Sequence, residues 1–581
     1  MDRIDPTLSN ADATAAADAP KPRIQVRRQA VVVIHGIGEQ RPMGTLRNLA
    51  ATLVGERQMS RPDRAGGLWE IRRLRAVVPP LRDDDGDVVE TDFYELYWAH
   101  LVRNTHWQSV LYWVWHLCRQ KVRPDHAQRA RLRKLRWVMV GLAVAILVVL
   151  LVTPDITAYV NGVLTHLKTD SGGLSTLWRL ALRALTWSLA AGAPLLLAWW
   201  VARSFLVDIV GDAARYLSPE PDNVEARQKV IASGMKLLKE LHRQENVKRV
   251  VLVGHSLGSI IGYDLLTTFF ADQCQGVVVD KRELNKLLDR AQDLIAADPR
   301  RVEDGVPREP AEADDTWQTE PYLTAFAAFQ AAQDRCFKAF RSDALRREVP
   351  DGDRWLISDF ITCGSPLAYA DFLRRRLRAD HERALARGDA ASCPPEPLLD
   401  RDPRTPVDQE PGYTFKHHGD GMFRLHQAAL FALCRWTNLY YPGDIASGPL
   451  RDLFGIGIED LRLVPREAVD GKGNWSRRIG AHVRYWETDK RDAPLAASRE
   501  ALGRIIFGAD WVPPPVAETA RPVNLRYGRY ADAPRDPWTA VGPRVADAGV
   551  DGWTAAWAAG QAGWARWSRR QPSSTAAGRQ L

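Results

Sequence analysis

Short runs of apolar residues alternate along the chain with longer segments whose apolar residues recur at helical spacing. The short runs are rich in Val, Ile, Tyr and Trp, which favour strands. They predict strands at residues 30–34, 69–78, 91–98, 249–253, 355–362, 436–441 and 480–485. Between the third and fourth of these, residues 223–242 place Val230, Leu237 and Leu241 on one side of a predicted helix. This alternation predicts an α/β fold, with a mostly parallel sheet and helices on both faces.

Two stretches, residues 137–153 and 184–202, contain no charged residue, and each is about long enough to cross a bilayer core as a helix. Two buried core helices would have similar lengths, but the flanks favour the membrane. Four basic residues crowd the entrance to the first stretch, and tryptophans lie at or near the ends of both. Because an excess of Lys and Arg marks the cytoplasmic side, we expect a transmembrane hairpin whose external turn is residues 154–183.

The same patterning divides the chain into segments. Residues 275–350 are charged and helix-prone and predict a helical lid, whereas residues 376–412 are polar and Pro-rich and predict a long surface loop. The expected organisation is a disordered tail (1–25), an α/β domain in two parts (26–105 and 216–505), an inserted membrane hairpin (106–215) and a Trp- and Pro-rich tail (506–581).

Composition narrows the functional classes. The chain has 581 residues, of which 45% are hydrophobic and 26% charged, and its net charge of +8 comes from scattered arginines, so we expect no nucleic-acid partner. The six cysteines are far apart and predict neither a disulfide framework nor a metal site, which fits a reducing compartment. Residues 1–25 lack the apolar run of a signal peptide, so the N-terminus is expected in the cytoplasm.

One sequence motif indicates a candidate catalytic residue. Residues 254–258 read Gly-His-Ser-Leu-Gly, directly after an apolar strand-forming run and before an apolar helix. This context predicts that Ser256 lies on a tight strand-to-helix turn, where Gly254 and Gly258 allow strand and helix to approach closely. The alternative is a structural serine in an ordinary turn of this kind.

This motif resembles the nucleophile elbow of the α/β-hydrolase superfamily, within its lipase and esterase branch. The first strand ends in Val33-Ile34-His35-Gly36-Ile37-Gly38, which resembles the His-Gly loop of that family. The resemblance implies that His35, Gly36 and Gly38 shape an oxyanion loop, and that the backbone N–H groups of Ile37 and Leu257 form the oxyanion hole. A dinucleotide-binding loop is disfavoured because Arg41 occupies its third glycine position.

A serine nucleophile needs a histidine to take its proton and a carboxylate to orient that histidine. The family order of serine, acid and histidine implies Asp444, just past the predicted strand 436–441, as the acid, and His482, shortly before Tyr485-Trp486, as the base. His255 belongs to the elbow itself. Weaker alternatives are a second nucleophile at Ser365, the bases His417, His418 and His426, and the acids Asp420 and Asp460.

The expected function is that of a membrane-anchored serine hydrolase, which cleaves carboxylic esters through an acyl-serine intermediate without metal or cofactor. The hairpin follows the carboxyl end of the predicted strand 91–98, on the side of the sheet that carries the site, so it should hold the site toward the cytoplasmic leaflet. Membrane lipids or other acyl esters are therefore the expected substrates. We expect an integral, multi-pass protein of the bacterial inner membrane type, with its catalytic domain in the cytoplasm. Acyltransferase, thioesterase or peptidase action, and a non-catalytic membrane scaffold, are the alternatives.

Overall fold

The structure is a computed structural model. It describes residues 26–36, 42–55, 58–62, 72–76, 81–82, 88–101, 216–217, 221–274, 281–300, 317–341, 355–370, 378–399, 411–416, 423–442, 444, 446–463, 481–483, 485–486, 494–508 and 511. Both predicted membrane spans, the tail 1–25 and residues 512–581 lie outside these residues. Within the described residues, no helix combines the length and apolarity that a bilayer crossing needs.

The centre of the described fold is a nine-stranded, mostly parallel sheet with the order β11-β10-β7-β6-β1-β5-β3-β2, in which β4 also pairs with β5. The six strands from β11 to β5 are mutually parallel, whereas β2, β3 and β4 are antiparallel to their neighbours. The strands are β1 (Val26–Ile34), β2 (Gln58–Pro62), β3 (Arg72–Ala76), β4 (Leu81–Arg82), β5 (Val88–Leu96), β6 (Val247–His255), β7 (Ile357–Cys363), β10 (Arg435–Tyr440) and β11 (Glu459–Arg462). Strands β8 (Thr414–Lys416) and β9 (Phe423–Leu425) form a separate hairpin.

Helices cover both faces of this sheet. They are α1 (Gly44–Val54), α2 (Pro221–Arg243), α3 (Leu257–Cys274), α4 (Lys281–Ala296), α5 (Glu320–Arg341), α6 (Arg378–Arg387), α7 (Arg451–Phe454) and α8 (Pro494–Phe507). In β1, Val32 and Ile34 pack in the same core cluster as α2 to α5, whereas Val31 and Val33 pack in a second cluster with α1 and α8. Because both faces are buried, the central strands are continuous apolar runs, as parallel strands generally are. The prediction of an α/β fold with a mostly parallel sheet is confirmed.

The predicted strand at residues 480–485 is wrong. Ala481–Val483 form a 3-10 turn, and a further turn follows at residues 485–486. The carbonyl of Tyr485 accepts a hydrogen bond from the Ser498 hydroxyl at 2.9 Å, and that of Trp486 accepts one from the Thr52 hydroxyl at 2.6 Å. These side-chain donors satisfy backbone groups that a strand would pair with a neighbouring strand.

Helices α4 and α5 come from the segment that was predicted as a lid, but they pack at the edge of the sheet opposite to Ser256. Gln333 of α5 donates to the Phe431 carbonyl at 2.7 Å, and Tyr322 donates to the Ile456 carbonyl at 3.0 Å. Both carbonyls precede strands β10 and β11, so they lie at the amino ends of the strands, the edge opposite to Ser256. The apolar sides of α4 and α5 are buried in the main core cluster, which makes these two helices part of the body of the domain.

The predicted surface loop 376–412 is also wrong in part. It contains helix α6, which buries His381 and Ala384, and the ring of His381 is hydrogen-bonded to the Leu453 carbonyl at 2.8 Å. After α6, the buried Cys393 donates its N–H to the Phe454 carbonyl at 2.7 Å. The polar composition of the segment reflects the exposed side of a short helix whose other side packs on the core.

Candidate active site

Ser256 occupies the turn between β6 and α3 that the sequence predicted. Its φ of 52° is in the left-handed region, which is uncommon for a residue with a side chain and marks backbone strain at a tight turn. The two flanking glycines make the turn possible. A Cβ on Gly254 would lie 2.6 Å from Ser259 Cα, and one on Gly258 would lie 2.2 Å from the Ile34 carbonyl oxygen.

The backbone of the elbow is fixed from neighbouring strand ends. The Ser256 N–H donates to the Cys363 carbonyl at the end of β7, at 3.0 Å. The Ser256 carbonyl accepts from the Ser259 hydroxyl at 2.5 Å, and Ser259 Oγ lies 2.7 Å from Ser365 Oγ. These bonds compensate for the strained φ. Through these bonds Ser365 supports the elbow. The sequence had offered Ser365 as an alternative nucleophile instead.

The structure brings Ser256, His482 and Asp444 together, although they are far apart in the chain. His482 Nε2 lies 2.8 Å from Ser256 Oγ, while its Nδ1 lies 2.9 Å and 3.0 Å from the two carboxylate oxygens of Asp444. An aspartate on Nδ1 holds the proton there and leaves Nε2 free to accept the serine proton. The arrangement therefore has the geometry of a nucleophile, a base and an orienting acid.

The carboxylate of Asp444 is fully buried, whereas 25% of the His482 side chain is exposed. Burial alone would raise the pKa of Asp444, but the hydrogen bond and the charge of His482, together with bonds from Ser447 and the Ala446 N–H, lower it below its usual value. Asp444 therefore stays ionised, with its negative charge against Nδ1 of His482.

The roles of two further residues that support this group were not predicted from the sequence. The Tyr485 hydroxyl donates to Asp444 Oδ2 at 3.0 Å and accepts from the Tyr441 N–H at 3.2 Å, and burial raises the pKa of this phenol, which keeps its proton. Gly364 has a φ of 62°, and a Cβ there would lie 2.8 Å from the Tyr485 ring and 3.2 Å from Asp444 Oδ2. The absence of a side chain at Gly364 leaves room for the triad.

Only half of the predicted oxyanion hole is described. Leu257 is the first residue of α3, so its N–H has no acceptor within the helix and lies next to the nucleophile. Gly36 approaches the elbow so closely that a Cβ would lie 2.9 Å from Ser256 Cβ. This packing contributes to the low exposure of Ser256, which is 3%. A serine that projects from its turn would be more exposed. Ile37 and Gly38 lie outside the described residues.

His35 fixes the start of this loop. Its Nδ1–H donates to the Gly36 carbonyl at 2.8 Å, and its Nε2 accepts the Trp98 N–H at 3.3 Å. The Trp98 indole stacks on the His35 ring, with centroids 5.1 Å apart, and donates to the His35 carbonyl at 3.0 Å. Burial lowers the pKa of His35 to about 4, so its ring remains neutral and acts as a structural bridge to the end of β5.

The alternative residues do not join this group in the described structure. Asp460 lies within strand β11, where it accepts hydrogen bonds from Asn438 and from the Leu450 and Arg451 N–H groups. His426 is buried and accepts the Ala428 N–H at 3.2 Å. His417, His418 and Asp420 lie outside the described residues. In the part of the chain that the structure describes, no cluster of His, Cys, Asp and Glu could hold a metal ion.

Buried neutral histidines predict a stability that falls in acid. Burial lowers the pKa of His426 to about 4, below its unfolded value of 6.5, so the unfolded chain binds more protons between these values and stability is lost as the pH falls from about 6.5 to about 4. We expect His426→Asn, which keeps an acceptor for the Ala428 N–H, to flatten this part of the dependence of melting temperature on pH. Identical slopes for the two proteins would contradict the prediction. The comparison with wild type is needed because Glu95, whose pKa burial raises to about 7, acts in the opposite direction.

No protein-family model, curated protein or solved structure matches this chain.

Proposed function

We propose that the chain is a serine hydrolase of the α/β-hydrolase type that cleaves carboxylic esters. The observation that carries this proposal is the 2.8 Å contact between His482 Nε2 and Ser256 Oγ, with Asp444 on the opposite nitrogen. The Gly-x-Ser-x-Gly turn with a positive φ at its serine supports it further, because that strained turn is the nucleophile elbow of the superfamily.

The proposed reaction begins with proton transfer from Ser256 Oγ to His482 Nε2, as the oxygen attacks the acyl carbonyl carbon. The resulting oxyanion is stabilised by the Leu257 N–H and by the positive end of α3, with Ile37 as the second proposed donor. The protonated His482 then gives its proton to the departing alkoxide, and the acyl group remains on Ser256. Water then attacks this ester as His482 takes its proton. His482 returns that proton to Ser256 Oγ as the bond to the acyl carbon breaks, which releases the carboxylic acid and restores the serine hydroxyl.

Labelling with a fluorophosphonate tests the proposal. The probe requires an activated serine oxygen, which displaces fluoride from phosphorus and remains covalently attached. We expect the full chain in detergent micelles to be labelled and Ser256→Ala to be unlabelled. Ser392→Ala is a matched control, because the Ser392 hydroxyl is buried and without a hydrogen-bond partner in the described structure. Absence of labelling in the wild-type protein would favour the non-catalytic scaffold.

The proposed substrates are acyl esters reached from the membrane. The described chain reaches Leu101 just beyond the carboxyl end of β5, at the sheet edge that carries Ser256, and the proposed hairpin follows it. Insertion there would hold this edge toward the cytoplasmic leaflet. We expect faster hydrolysis of long-chain lipid esters in mixed micelles than of p-nitrophenyl acetate at equal concentration. A strong preference for the short soluble ester would contradict the lipid part of the proposal and leave the serine hydrolase part intact.

A further inference from the structure

The histidine that precedes the nucleophile makes a contact that the reaction described above does not use. His255 Nε2 lies 2.8 Å from the backbone carbonyl oxygen of His482. A carbonyl can only accept, so Nε2 carries the hydrogen and donates it. This bond joins the elbow directly to the main chain of the proposed base.

The support of His482 depends on such contacts, because the residue lies in a three-residue turn and not on a strand of the sheet. Its side chain is held by Asp444 and Ser256, but the hydrogen bond to Ser256 is broken and remade during the proposed reaction. The bond from His255 goes to a backbone oxygen, so it persists whether the imidazole of His482 is neutral or protonated. It keeps the distance between His482 Nε2 and Ser256 Oγ the same during the formation and the hydrolysis of the acyl-serine.

The surroundings of His255 suit a permanent donor. The ring is buried and packs edge-on against Trp486, with centroids 4.8 Å apart, and lies 5.2 Å from the His482 ring. Burial and the neighbouring His482 lower the pKa of His255 to about 3, although the bond to the carbonyl and the charge of Asp444 act in the other direction. A proton taken from Ser256 therefore stays on His482.

We propose that His255 is a positioning residue, which acts through its Nε2–H on the backbone of His482 to hold the base in line with Ser256. The inference rests on the proposed serine hydrolase function and adds a residue to its machinery. It assigns a role to the second position of the Gly-His-Ser-Leu-Gly motif, where hydrolysis itself requires no particular side chain.

Two polar substitutions of different reach test the inference. In His255→Gln the side-chain amide nitrogen lies three bonds beyond Cβ, as Nε2 does in histidine, whereas the amide nitrogen of His255→Asn is one bond closer to Cβ. We expect His255→Gln to retain fluorophosphonate labelling within about fivefold and His255→Asn to lose about 10²-fold, the size of effect that a displacement of about 1 Å causes. For p-nitrophenyl acetate, the loss in His255→Asn should fall on kcat, with KM nearly unchanged.

The outcomes separate the inference from the function on which it rests. Equal activity of His255→Asn and wild type would overturn the inference, as would an equal loss in both variants when their melting temperatures match. If His255→Asn does not fold, His255→Leu in comparison with His255→Gln gives the same decision, since leucine has similar volume and no donor. An inactive wild-type protein would instead overturn the proposed function.

Discussion

Replacing His482 by alanine should lower the rate of fluorophosphonate labelling and of ester hydrolysis by about 10⁴-fold or more. The Ser256 hydroxyl would lose its only proton acceptor in the described structure, since the ring nitrogen at 2.8 Å is removed. A neutral hydroxyl is a poor nucleophile. Substrate binding should change little, so the loss belongs to kcat. The measurement is the second-order labelling rate of the detergent-solubilised protein at pH 8.

Imidazole in the buffer offers an internal control for this variant. The His482 side chain is 25% exposed, so its removal leaves a site that solvent can reach beside Asp444. We expect millimolar imidazole to restore part of the labelling of His482→Ala and to leave that of Ser256→Ala at zero. His100→Ala, at an exposed position stacked on Tyr97, should behave as wild type. Full activity of His482→Ala without imidazole would refute the assignment of the base.

Replacing Gly258 by alanine should destabilise the fold by about 3 kcal/mol or more and abolish labelling. The added Cβ would lie 2.2 Å from the Ile34 carbonyl oxygen and 2.5 Å from that of His35. Both are backbone atoms of β1 and the segment after it, so relief requires the separation of α3 from the sheet. Alanine favours a helix over glycine by about 1 kcal/mol, which is too little to offset this clash.

Gly412→Ala is the matched control for this substitution. The nearest atom to a Cβ at Gly412 is the Thr414 nitrogen at 4.0 Å, an ordinary contact distance. We expect its melting temperature to agree with that of wild type and its free energy of unfolding to change by less than about 0.5 kcal/mol. A stable and active Gly258→Ala protein would show that strand and helix are farther apart than the structure describes.

The sequence predicted the elements whose signals are local. The apolar runs that become β1, β6 and β7 are buried on both faces, and the glycines of the elbow are demanded by contacts within a few residues of Ser256 or with the neighbouring strand β1. The family order of serine, acid and histidine pointed to Asp444 and His482, which the structure brings into hydrogen-bond distance of one another. For these features, the residues that form the sequence pattern are the ones whose packing the fold requires.

The features that sequence reasoning missed depend on contacts between distant segments. Residues 480–485 were predicted as a strand, but the carbonyls of Tyr485 and His482 bond to side chains of α8 and β6 instead. The charge of residues 275–350 suggested a lid, whereas one side of each helix is apolar and packs in the core. The hydrogen bond from Tyr485 to Asp444 spans 41 residues and leaves no periodic trace.

The order of the three residues along the chain bears on when the proposed activity can arise during synthesis. The elbow is complete once α3 has folded, but the proposed base lies 226 residues closer to the carboxyl terminus than Ser256. The turn that carries His482 is attached to α8 through Ser498, so helix docking and alignment of the base go together. Under the proposed mechanism, a nascent chain that has left the ribosome only as far as β10 lacks the base, so its Ser256 cannot attack an ester until the last described helix has folded.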